Sequence, residues 1–91
     1  MDITKFNEAK HAEVIKAYLI EKKSHRVIQE KILKLDAPPR GGGFIAMEIL
    51  HYYNINGSKK GFLESRDLDS EIEFATGNFK RGLEILRKYC S

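Results

Sequence analysis

The sequence predicts a mainly α-helical fold, a compact bundle of four or five helices with at most one small β-hairpin. Three observations predict it. Apolar residues recur at three- and four-residue intervals along most of the chain, the period of a helix with one buried face. Residues suited to capping helices, Asn7 and Ser24, stand just ahead of two of those stretches. The chain has 91 residues, 42% hydrophobic and 32% charged, enough for one modest core but not two. Residues 1–91 therefore read as one small helical domain, whole or a fragment of a larger protein.

The first helix runs from about Asn7 to Lys22, because Ala12, Val14, Ile15, Tyr18 and Leu19 fall on one face. Lys22 and Lys23 stand where cations favour the carboxyl end of a helix dipole. Ser24 then caps a second helix whose buried stripe is Val27 or Ile28, Ile32 and Leu35, with Arg26, Lys31 and Lys34 outside. The run Asp36-Ala37-Pro38-Pro39-Arg40-Gly41-Gly42-Gly43 ends that helix, since consecutive prolines remove donors and hold the preceding residue extended. From Phe44 to Tyr53 apolar residues nearly close a ring, broken by Glu48 and His51, which predicts a buried central helix at the heart of the core. Asn54 to Leu63 alternates turn and apolar residues around Asn56-Gly57 and fits a small basic hairpin or loop. Ile72, Ala75, Phe79, Leu83, Leu86 and Cys90 mark a last helix or pair of helices, with a break at Gly77 and Asn78 as the cap.

Composition excludes several classes. No apolar run approaches the roughly 18 residues of a membrane span, and no leader-like pattern opens the chain, so the reading is a soluble protein of the cytoplasm. Cys90 is the sole cysteine and cannot form an internal disulfide. No metal or cofactor is predicted, because no Cys/His cluster has ligand spacing and Arg40-Gly41-Gly42-Gly43 lacks the rest of a P-loop or dinucleotide fingerprint. His11, His25 and His51 lie in three different stretches without a partnered nucleophile, so the chain is read as non-catalytic. Glu48 and His51, three apart, form either an acid/base pair at a cleft or a polar patch on one helix face.

Charge is more informative in its distribution than in its formal total of +3. Residues 21–60 carry Lys22, Lys23, Arg26, Lys31, Lys34, Arg40, Lys59 and Lys60 against Glu21, Glu30, Asp36 and Glu48, a balance of +4. Residues 61–76 carry Glu64, Asp67, Asp69, Glu71 and Glu73 against Arg66, a balance of −4. A basic stretch beside an acidic one suggests one side facing a polyanion and one turned away, or else a mixed solvated surface. Glycines directly before a helix let backbone N–H groups approach an anion at the positive end of its dipole, and Arg40 adds a bidentate charge. Alternatively, the glycines serve a sharp reversal and close packing.

Helix, Pro/Arg/Gly joint, helix and a basic Lys59-Lys60 turn follow in the order helix, turn, helix, wing. Over roughly residues 8–63 the chain thus resembles winged helix-turn-helix DNA-binding domains, which implies a helix-turn-helix-like core. The glycine loop with the Phe44-Ile45-Ala46-Met47 start of its helix also looks like the target-recognition modules of restriction-type endonucleases. Those winged domains use a turn of three or four residues and a polar recognition helix. Here the joint is about eight residues long and the helix apolar, which moves base reading to the helix start and the loop. The resemblance implies a double-stranded DNA partner. It gives phosphate contacts to Lys22, Lys23, Arg26, Lys59 and Lys60, contacts near the loop amides to Gly41, Gly42 and Gly43, and base or minor-groove reading to Arg40 with Ser58 or His25 nearby. Lys80 and Arg81 extend the track. The competing class is a protein-interaction or dimerisation module, in which Tyr18, Tyr52, Tyr53, Phe62 and Phe74 and the acidic 64–73 segment form a docking face.

Overall fold

The computed structural model describes residues 6–35 and 43–90. Among them, five α-helices and no strand form the fold: α1 (Glu8–Leu19), α2 (His25–Val27), α3 (Phe44–Tyr52), α4 (Leu68–Phe74) and α5 (Gly77–Cys90). Helix α2 continues directly into a π-helical turn, Ile28–Ile32, and short 3-10 turns occupy Gly57–Lys59 and Ser65–Asp67. The predicted mainly α-helical bundle of four or five helices is therefore the observed one.

Helix α1 starts where Asn7 predicts it, the side-chain oxygen accepting from the Lys10 amide at 2.9 Å. It ends with Lys22 in the left-handed region at φ 60° and the Lys23 amide donating back to the Ala17 carbonyl at 2.9 Å. That six-to-one bond satisfies a carbonyl the helix end would otherwise orphan. Ala12, Val14, Ile15, Ala17 and Leu19 are fully buried, with Tyr18 and His11 nearly so. Helix α1, packed lengthwise on α5 and touching the π-turn and α3, is thus the centre of the core.

The structure corrects the prediction that α3 is the heart of the core. Its inward face is Ala46, Ile49 and Leu50, continued by Tyr53, whereas Phe44 is 59% and Tyr52 42% exposed. A ring of apolar residues is not a ring of buried ones when only part of the helix surface is covered.

The predicted stripe of the second helix is also shifted. Ser24 caps it as expected, its hydroxyl accepting from the Val27 amide at 3.3 Å. The Leu33 amide, however, bonds the Ile28 carbonyl five residues back, at 3.0 Å. A π-turn widens the repeat, so Ile28 and Leu33 share the buried face, Ile32 and Leu35 are half-buried at its edge, and Val27 faces out.

Of the two forms fitting residues 54–63, the structure has the loop and not the hairpin. At the far end Asn78 does not cap a helix. It lies in the first turn of α5 and donates from Nδ2 to the Tyr52 carbonyl at 3.0 Å, tying α5 to the end of α3. The buried stripe of α5 is Gly82, Leu83, Ile85 and Leu86. A Cβ at Gly82 would stand 3.1–3.2 Å from the Tyr53 side chain, so glycine there admits Tyr53 against the helix. Lys80, Arg81, Arg87 and Lys88 point outward as predicted. No described helix is long and apolar enough to cross a membrane.

Candidate nucleic-acid interface

The loop after α3 carries Lys59 and Lys60 onto the end of α1. The Gly61 amide donates to the Tyr18 carbonyl at 2.9 Å and the Leu63 amide to the Leu19 carbonyl at 3.1 Å. Gly61 has φ 67°, and a Cβ there would collide with the aliphatic stem of Lys22. These backbone bonds use carbonyls of the last turn of α1, and they bring the Lys22-Lys23 pair beside the Lys59-Lys60 pair.

The same face extends onto α2. The His25 ring stacks on Tyr18 with centroids 4.9 Å apart and planes 16° from parallel. Burial pushes the His25 pKa below its usual range, and His51 and Lys60 add to the effect by repelling a second positive charge. The shift favours the neutral ring, with exposed Lys60 near enough to act on it. Sequence reading gave His25 a minor part and missed the proximity of His51, which depends on how α3 crosses α2.

Gly43 bridges this face to the start of α3. At φ 78° it approaches so closely that a Cβ would lie 2.5 Å from the His25 carbonyl carbon and 2.7 Å from the Arg26 nitrogen. Sharp reversal and close packing account for this glycine. The second amide of α3 is also engaged, since Ile45 donates to the buried Gln29 Oε1 at 2.9 Å. That amide is occupied by a side chain, so an anion at this helix end meets one donor fewer. Arg40, Gly41 and Gly42 lie outside the described residues.

The remaining predicted contacts divide. Arg26 Nε is paired with Glu30 at 3.2 Å, both side chains partly exposed, so much of its charge is locally balanced. Ser58 closes a local turn, its amide and hydroxyl both donating to Asn56 Oδ1, at 3.1 and 2.5 Å. The Lys59 ammonium lies over the Phe79 ring at 4.6 Å and the Phe62 ring at 5.1 Å. The exposed lysines left on this face are therefore Lys22, Lys23 and Lys60.

Elsewhere, buried His11 Nδ1 and the Tyr53 hydroxyl lie 2.8 Å apart, and burial raises the Tyr53 pKa. Burial also pushes the Cys90 thiol up, which keeps it protonated at neutral pH. His51 is exposed and Glu48 half-buried on α3. Among the described residues no group of three or more His, Cys, Asp or Glu side chains is placed to hold a metal ion. No protein-family model matches the chain, and neither a curated protein nor a solved structure shows significant similarity to it.

Proposed function

We propose that this chain is a non-catalytic DNA-binding module of the cytoplasm, one that holds duplex phosphates on its Lys22, Lys23 and Lys60 face and reads the groove with Arg40. The observation that carries the reading is the docking of the 57–63 loop on α1. Lys60, far in sequence from Lys22 and Lys23, is held beside them by backbone hydrogen bonds of its loop to the end of α1, which fixes the cationic face in place. Such a fixed cationic face is complementary to a polyanion and gives binding that weakens steeply with salt. In this reading His25 lies near the phosphates, and the module serves alone or as the recognition part of a nuclease or regulator.

Fluorescence anisotropy of a labelled duplex of about 20 base pairs, titrated at two salt concentrations, tests it. Binding should weaken steeply with salt, and Lys22→Ala with Lys60→Ala should lower the salt slope by about two, roughly one per lost phosphate contact. Arg40→Ala should cost about 1–3 kcal/mol if it reads a base. Absence of binding at low salt overturns the proposal.

One observation favours the second reading, a protein-interaction module. Phe74 is 83% exposed at the end of α4, beside Glu71 and Glu73, an aromatic ring on an acidic helix. Concentration-dependent self-association without DNA binding, read by sedimentation, would support that class.

A further inference from the structure

One residue of the cationic loop covers aromatic rings instead of facing solvent. Lys59 sits over both Phe62 and Phe79, whose centroids are 6.3 Å apart with planes tilted by 38°. Phe62 is 41% exposed, and Phe74 still more so. Between the loop and the α4–α5 joint lies an open cleft of about 400 Å³, whose walls include Asn54, Lys59, Glu71, Phe74, Thr76 and Phe79. Two phenylalanines, Phe62 and Phe79, thus flank one cation at the edge of the lysine face, and Phe74 lines the cleft that Lys59 and Phe79 share.

Apolar rings left in water beside a fixed cationic surface fit one kind of ligand well. Every nucleobase offers a π-face, and aromatic side chains flanking a positively charged track are the means by which unpaired strands are held. The polar groups of the cleft suit base edges better than phosphates. The Glu71 carboxylate repels a phosphate but accepts from an exocyclic amino group, while the Asn54 amide can both donate and accept. Paired bases present neither their faces nor their pairing edges to such a cleft.

Resting on the DNA-binding reading above, we propose that this cleft takes an unpaired base, stacked on Phe74, while Lys60 and Lys22 hold the flanking backbone. The preferred DNA is then a duplex interrupted by unpaired nucleotides, with amino-bearing bases favoured over thymine.

The test compares three labelled probes by anisotropy: a plain duplex, the same duplex with a central bulge of unpaired cytosines, and one with unpaired thymines. The wild-type chain should bind the cytosine bulge about tenfold more tightly than the plain duplex, the size of effect one stacked base gives. The thymine bulge should fall between them. Phe74→Ala, which removes an exposed ring and leaves the core intact, should bring the bulged probes down to the plain-duplex value without changing that value. Lys22→Ala with Lys60→Ala should weaken all three. Equal affinity for bulged and plain duplexes, or a preference that survives Phe74→Ala, overturns the base site and leaves phosphate binding standing. Equal binding of cytosine and thymine bulges removes Glu71 from the proposal, and failure to bind any probe overturns both readings.

Discussion

Gly43 and Gly77 share a positive φ, 78° and 60°, and sit at the starts of the two helices α3 and α5. Their surroundings could hardly differ more. A Cβ at Gly43 would enter the backbone of His25 and Arg26, whereas one at Gly77 would meet nothing within 4 Å. The first joint locks α3 against α2 beneath the cationic face. The second lies three residues beyond Phe74, the most exposed large apolar residue among the described residues. The lesson is that a left-handed glycine sets only a modest intrinsic cost for replacement, and that packing decides whether the position is indispensable. Gly61 is intermediate, left-handed like the others but packed on a lysine stem instead of backbone.

Substitutions rank accordingly. Gly43→Ala combines backbone strain with a collision that neither partner can relieve by rotating a side chain, and should cost about 3 kcal/mol or more in urea unfolding. A cost near that of Gly77→Ala would remove the lock. Gly61→Ala should cost about 2 kcal/mol, and combining it with Lys22→Ala should return roughly half, because the colliding stem is gone while the strain persists. Strict additivity in that cycle would mean the stem moves aside freely. Gly77→Ala should cost about 1 kcal/mol, the conformational term alone. Phe74→Ala should change stability by under about 0.5 kcal/mol, since the ring contributes little buried area.

The smallest effect is with pH. The folded-state pKa of His25 lies below its ordinary value, so the unfolded chain takes up a proton first on acidification. Stability from this group is full above the ordinary histidine range and is lost as pH falls below about 6.5 towards the depressed value. His25→Gln should flatten the stability profile between about pH 5 and 7, measured by thermal unfolding. An unchanged slope would locate the dependence at another group.

What the sequence made legible was local. Asn7 and Ser24 announce their helices because a cap needs only an oxygen three residues ahead of an amide. The outward cations and inward leucines of α5 follow from its period. The π-turn was not legible, because a five-residue ring leaves no compositional mark and moves burial from Ile32 to Leu33. Neither was the role of Asn78, whose partner carbonyl on Tyr52 is distant in sequence, or that of Gln29, a polar residue within an apolar stripe that turns inward to cap α3. A glutamine flanked by buried positions was the available signal. For the candidate site, the lysine pairs could be named one by one, but their meeting depends on bonds from Gly61 and Leu63 to the end of α1. Lys59 reads as one more phosphate contact until its two rings are located.

Lys22 divides its work between two parts of a single side chain. Its methylene stem lies where a Cβ on Gly61 would go, while the residue as a whole remains exposed. Acetylation of the ε-amine acts only at the tip, so it should neutralise the charge while preserving the seat of the loop. At this one position, the electrostatics of the surface are open to chemical editing independently of the architecture beneath.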